Sequence, residues 1–113
     1  QVVPVTRGIM STLYATLAPD KNQAVVLEAY REFYREEPFV RVYDSGASIG
    51  TVHVRGTNRA SLVVAVDERT RRFRCVSYID NLMKGQSGSA LQNMNLLFGL
   101  SETTGLKRPG LYP

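Results

Sequence analysis

A nucleophile-and-base mechanism in this 113-residue chain would have to use its one cysteine and its one histidine. A reactive thiol needs a lowered pKa, from a helix N-terminus or a cationic or imidazole neighbour. Cys75 falls instead inside the alternating run Arg72 to Ile79, on a face shared with Phe73, Ser77 and Ile79. That setting predicts a packed thiol. His53 stands alone in Thr51 to Arg55, which reads as a strand, and no spacing brings it to Cys75. It is expected to be a sheet histidine satisfied by a neighbour. No catalytic residue is therefore assigned within this chain. One cysteine also excludes an internal disulfide framework and a thiolate zinc site, so no metal ligands are assigned.

Two segments suit anions. Arg7 lies in Pro4-Val5-Thr6-Arg7-Gly8, where the glycine permits close backbone approach and the guanidinium could hold a carboxylate or phosphate. A structural salt bridge is the competing role. Ile79 to Gly88 gathers Asn81, Lys84, Gly85 and Ser87 before a helix, whose amides and dipole favour negative charge. The competing role is a capped helix start, with Asn81 or Ser87 as the cap.

Net charge is +4, from 14 Lys and Arg against 10 Asp and Glu, and most of the cations are arginines. That balance suits anionic partners. The densest cluster, Arg69, Arg71, Arg72 and Arg74, follows Asp67-Glu68 and reads as a solvated hairpin tip. Phe73 alternates away from Arg72 and Arg74, so the basic and aromatic residues do not share a face as a nucleic-acid reader requires. No nucleic-acid partner is expected. There is no G-x-G-x-x-G after a strand, no Walker A loop and no histidine pair on a helix. The longest apolar run, Leu62 to Val66, is far short of the ~20 residues that cross a bilayer. No membrane partner is expected either. Gln1-Val2-Val3-Pro4 lacks the basic and apolar regions of a signal peptide. The length suits one domain in a reduced, cytoplasmic setting, or a piece of something longer.

The elements that must position these residues follow from periodicity. Ile9 to Leu17 alternates as a strand, and Pro19-Asp20 ends it. Asp20 with Gln23 resembles a capping box. Val26, Ala29, Tyr30 and Phe33 then recur at helical spacing until Pro38. Phe39 to Tyr43, Thr51 to Arg55, Ala60 to Asp67 and Arg72 to Ile79 read as strands, the last two as an antiparallel hairpin. Ser87 to Phe98 reads as a helix with Ala90, Leu91, Met94 and Leu97 as its apolar stripe and Gly99 as its stop. Ser101 to Pro113 should be irregular. The order predicts an α+β domain, a largely antiparallel sheet with helices packed on one face.

Three stretches together carry a resemblance: Val3-Pro4-Val5-Thr6-Arg7-Gly8-Ile9, Ile79-Asp80-Asn81-Leu82-Met83-Lys84-Gly85, and Ala90-Leu91-Gln92-Asn93-Met94-Asn95-Leu96. Glu37-Pro38-Phe39-Val40, Gly56-Thr57-Asn58 and Gly99 to Leu106 extend it in order along the chain. The sequence resembles the N-acetyl-gamma-glutamyl-phosphate reductases, and within them the substrate-binding and dimerisation domain, over residues 1–113. The resemblance implies a fold like the C-terminal domain of glyceraldehyde-3-phosphate dehydrogenase. It implies an NADP-dependent oxidoreductase of arginine biosynthesis that makes N-acetylglutamate 5-semialdehyde from the acyl phosphate, passing hydride to a cysteine-bound acyl group. The NADP-binding domain and the nucleophilic cysteine would lie outside this chain, so the fragment alone should be inactive. Cys75 and His53 match neither the family's nucleophile nor its general base. Gln1 falls where many relatives carry histidine, which puts any local role of that position in doubt.

By resemblance, Arg7 is assigned to a substrate carboxylate or phosphate, with Thr57 and Asn58 near the substrate. Asn81, Lys84 and Gly85 are assigned to the nicotinamide side of the cofactor, Asn81 foremost. The expected partners are the acyl phosphate, the missing domain and a second copy of the chain. Two alternatives stay open. One is a non-catalytic dimerisation module. The other is the related reductase of lysine biosynthesis, which acts on an N-blocked aminoadipyl phosphate.

Overall fold

The computed structural model describes residues 4–111; the expectations for Gln1 and for the last two residues lie outside them. Strand β1 (Ile9–Thr16) leads into helix α1 (Gln23–Phe33) and strand β2 (Val40–Tyr43). A 3-10 turn (Thr51–Val54) precedes strands β3 (Ala60–Asp67) and β4 (Arg72–Ile79), and a π-helical turn (Met83–Ser87) runs into helix α2 (Gly88–Leu97). The sheet order is β1-β4-β3-β2. β4 pairs antiparallel with both neighbours, and β2 runs parallel to β3. The α+β reading holds, with two of the three pairings antiparallel.

Alternation in β3 and β4 puts Leu62, Val64 and Val66 on the same face as Phe73 and Cys75. Val26, Leu27 and Tyr30 of α1 pack on that face, and Val64, Phe73 and Cys75 are the buried centre of the cluster. Tyr30 lies against Phe73 with ring centroids 5.8 Å apart, a tilted arrangement that rings prefer over a sandwich. β1 is an edge strand that α1 does not cover, and all eight of its residues are exposed.

Three expectations need correcting. Asp20 and Gln23 do not form the capping box. Asn22 caps α1 instead, its Oδ1 accepting from the Val25 amide at 3.0 Å. Gln23 serves the sheet: β2 ends opposite Val63, and Gln23 bonds the backbone of β3 just beyond, donating to the Val64 carbonyl at 3.1 Å and accepting from the Val66 amide at 2.6 Å. An edge left by a short strand is thus satisfied by one side chain. Thr51 to Arg55 is not a strand, because the segment turns tightly to bring Val54 inside, where it is fully buried.

The third correction concerns α2. Its stripe does not face a core: Met94 is exposed and Leu97 is 84% exposed, while the buried residues are Gly88 and Asn95. Asn95 donates to the carbonyls of Glu102 and Thr104, which folds the segment after the helix back along it. Gly99, with φ +66°, ends the helix as expected, and the segment beyond it is irregular but fastened. Its Leu111 amide bonds the Arg55 carbonyl at 2.9 Å.

Candidate functional site

Residues 7–8 and 80–81 are brought together by strand register. Ile9 at the start of β1 stands opposite Ile79 at the end of β4, so the residues just outside the ladder must meet. They clasp. Arg7 Nε donates to both carboxylate oxygens of Asp80, at 3.2 and 3.0 Å, and the Gly8 amide donates to Asn81 Oδ1 at 2.7 Å. Gly8 has φ +102°, and a Cβ there would stand 2.6 Å from Thr51 Cβ. Only glycine fits that close approach.

Asp80 is the hub. Its side chain is fully buried and also accepts from the amides of Gly56 at 2.6 Å, Leu82 at 2.8 Å and Met83 at 2.9 Å. Burial alone would push this carboxyl up. The amides of Gly56, Met83 and Leu82 with the Arg7 guanidinium outweigh it and hold Asp80 below the ordinary carboxylate range. Asp80, and neither Asn81 nor Ser87, therefore caps the turn before α2; the Ser87 hydroxyl donates back to the Leu82 carbonyl. Among the described residues both of Arg7's hydrogen bonds leave from Nε, so the salt-bridge role is real and no described residue takes a bond from the terminal Nη groups. Among the described residues Asn81 uses only its Oδ1, which leaves its Nδ2 free to donate.

A second cluster joins two other assigned residues. Lys84 Nζ donates to Gln92 Oε1 at 2.7 Å, and Asn58 Nδ2 donates to the same oxygen at 2.9 Å. Gln92 Nε2 in turn donates to Glu102 Oε1 at 2.5 Å. Lys84 also sits over the Phe39 ring, 5.7 Å from its centroid. Lys84 is thus a structural cation as well as a candidate ligand. Thr57 is buried, with its hydroxyl donating to the Val54 carbonyl and accepting from the Arg59 amide. Gly85 is exposed, and its amide bonds the Asp80 carbonyl across the π-turn at 2.9 Å.

The family described as semialdehyde dehydrogenase, dimerisation domain, matches residues 1–81. The chain belongs to that family. The domain is also similar to proteins named N-acetyl-gamma-glutamyl-phosphate reductase. Those from Desulforudis audaxviator, Pelotomaculum thermopropionicum and Geobacter metallireducens are 54%, 51% and 49% identical to it over 99% of its length. It spans only 32% of each relative.

Within this dimerisation domain Cys75 is the packed thiol that its strand position predicts. It is buried on the α1 face, and burial pushes its thiol up, with the Tyr30 hydroxyl offsetting only part of the effect. A thiol reagent is expected to label Cys75 only as the domain unfolds, with labelling tracking denaturant. Rapid labelling of the native protein would contradict that. His53 is satisfied by a neighbour, though in a turn and not in a sheet: its Nδ1 accepts from the Gly50 amide at 3.0 Å. Among the described residues, no three His, Cys, Asp or Glu side chains gather as metal ligands, and no helix is long and apolar enough to cross a membrane.

The residues that sequence reasoning missed are Asp80, Gln92 and Glu102, which tie the assigned ones together. A signal for Asp80 was present. An aspartate directly after a strand that ends at an apolar residue must find donors in the next turn.

Proposed function

We propose that this dimerisation domain is the substrate-side part of an NADP-dependent N-acetyl-gamma-glutamyl-phosphate reductase, a cytoplasmic homo-oligomer of arginine biosynthesis. In this reading the rest of the protein carries the NADP-binding domain and the nucleophilic cysteine. The observation that carries it is identity near 50% to reductases of that name across nearly the whole chain. The clasp supports it, since it aims an arginine and an amide from one end of the sheet. The reaction consumes the acyl phosphate, NADPH and a proton and releases the semialdehyde, NADP and phosphate.

Each residue's part follows from its bonds. Asp80 holds Arg7 by Nε, so the guanidinium keeps a fixed direction and offers its Nη edge to the substrate carboxylate or phosphate. Thr57 and Asn58, both buried, shape the wall beside it. Asn81, its Oδ1 fixed on Gly8, offers Nδ2 to the nicotinamide side, with Lys84 and Gly85 following on the same turn. The absence of a side chain at Gly85 suits close approach there: a Cβ would already stand 3.3 Å from the Asp80 carbonyl. NADPH, when bound, supplies the hydride.

The test is phosphate-dependent NADP reduction with N-acetylglutamate 5-semialdehyde. The whole protein should be active and the 113-residue chain alone silent. Activity of the chain alone would overturn the assignment of Cys75. A strong preference for the aminoadipyl homologue would favour the lysine-pathway reading, although one methylene is worth only ~1 to 3 kcal/mol. Inactivity of the whole protein on both substrates would leave a dimerisation module. In the whole enzyme, Arg7→Ala should lower kcat/KM by about 2 to 4 kcal/mol. An unchanged KM and rate would remove Arg7 from the site.

A further inference from the structure

We propose that Gln92 and Glu102 are positioning residues: acting through Gln92, Glu102 holds the Lys84 ammonium in the direction in which it meets the cofactor. The inference rests on the reductase reading, which puts Lys84 on the nicotinamide side, and concerns two residues to which that reading assigns no part. Three hydrogen bonds carry it. Lys84 Nζ and Asn58 Nδ2 both donate to Gln92 Oε1, at 2.7 and 2.9 Å, and Gln92 Nε2 donates to Glu102 Oε1 at 2.5 Å. With two donors at one end of the amide and a carboxylate at the other, only one sense of the Gln92 side chain satisfies every partner. Its acceptor therefore faces Lys84. The buried Phe39 ring, its centroid 5.7 Å from Nζ, gives the ammonium a second contact.

The fold builds this arrangement. Gly88, Gln92 and Asn95 recur at helical spacing on the inward face of α2, where Gly88 and Asn95 are buried. Asn95 donates to the carbonyls of Glu102 and Thr104, at 3.2 and 2.9 Å, so the backbone of Glu102 is pinned to the same helix whose Gln92 meets its side chain. Leu106, 2% exposed, anchors the segment just beyond. The interposed amide matters chemically. The three salt bridges among the described residues use Arg7, Lys21 and Arg35, so none of them neutralises Lys84. A carboxylate in direct contact would quench its charge, whereas a neutral amide backed by a carboxylate fixes its direction and leaves the charge to a ligand. An ammonium has three N–H donors, and one goes to Gln92, which leaves two for a ligand. A long, flexible side chain held before the cofactor arrives has less freedom to lose on binding.

The experiment uses the whole protein and two readouts. One is KM for NADP, with kcat, in phosphate-dependent oxidation of N-acetylglutamate 5-semialdehyde. The other is acylation of Lys84 by acetic anhydride, read peptide by peptide against the exposed Lys107. Glu102→Ala should raise KM for NADP about fivefold, leave kcat nearly unchanged, and speed acylation of Lys84 but not of Lys107. Glu102→Gln, whose amide oxygen can still accept from Gln92, should stay near the parent in both. Gln92→Glu sets two carboxylates against each other and should behave like Glu102→Ala. Adding Glu102→Gln to it restores a donor facing an acceptor, and both readouts should return toward the parent. A purely structural part would lower the active fraction, and so kcat, without moving KM; melting curves record that loss separately. Unchanged acylation in Glu102→Ala, or no rescue in the double variant, would overturn the positioning role. Faster acylation with an unmoved KM would overturn the contact of Lys84 with the cofactor. A parent without reductase activity would instead overturn the reductase reading and the cofactor role with it, while acylation still decides whether Glu102 holds Lys84.

Discussion

Asp80→Asn is expected to lower the stability of the domain by about 3 kcal/mol and its melting midpoint by about 12 °C or more, because it breaks a buried, hydrogen-bonded ion pair. The substitution is isosteric, so packing is not the cause. Oδ2 of Asp80 receives both Arg7 Nε and the Gly56 amide, and an amide nitrogen at that position would point hydrogens at two donors. Swapping the amide's ends moves the conflict to the Leu82 and Met83 amides. Neither orientation satisfies all of them. Removing Arg7 instead should cost clearly less. Its side chain is 28% exposed, and Asp80 keeps its amide donors.

The same carboxylate imposes a pH dependence. Its folded pKa lies below the ordinary value, because the amides and Arg7 outweigh the burial that opposes them. Its contribution is therefore complete above about pH 4 and is lost as pH falls through the lower folded value. Urea midpoints measured from neutrality down to acid should fall in the parent and fall less in Asp80→Asn. Parallel curves would show that Asp80 is not the controlling group.

Gly88→Ala is expected to destabilise by about 2 to 3 kcal/mol, through overpacking. A Cβ there would stand 2.3 Å from Asn58 Oδ1 and 2.8 Å from both the carbonyl carbon and the oxygen of Met83. Asn58 is 1% exposed and is tied to Gln92, so it has nowhere to swing. The Met83 carbonyl is backbone and already accepts the Gly88 amide. Gly50→Ala is the control. Its φ is −149° and nothing stands within 4 Å of its Cβ position, so its midpoint should not move. Equal behaviour of the two variants in thermal melts would show that the contact at Gly88 is not tight.

Helix α1 and strands β1 and β4 were legible because each has a strong period of its own, and β3 because its apolar run Leu62 to Val66 has the length of a strand. Cys75 could be placed in the core from alternation alone. The Thr51 to Arg55 turn was misread because Val52 and Val54 alternate as a strand does, while the constraint that bends the segment comes from Gly8 and Asp80, far away in sequence. The α2 stripe shows the converse limit. Periodicity reports that Leu91, Met94 and Leu97 share a face, but it carries no information about what covers that face. The clasp was half legible. Arg7 and Asn81 were both singled out, yet their adjacency follows from the β1–β4 register, which depends on pairing across the whole sheet. Gln92 and Glu102 gave no signal, since an amide and a carboxylate near a helix end usually face water.

The pairing of β1 with β4 also bears on how the protein is made. As this domain leaves the ribosome, β1 emerges ahead of the other three strands of the sheet, and β4, its partner among the described residues, follows about 56 residues later, counted from Thr16 to Arg72. At roughly 5 to 20 residues per second that is about 3 to 11 seconds. For that interval Ile9, Met10, Leu13 and Tyr14 form an unpaired, largely apolar strand, open to capture by other strands or by a chaperone. β2 and β3 can pair in the meantime, but β4 has to be inserted between β3 and β1 before the sheet closes. A product halted before Ile79 would release a protein whose first strand has lost part or all of its partner, and quality control would meet it as an exposed edge.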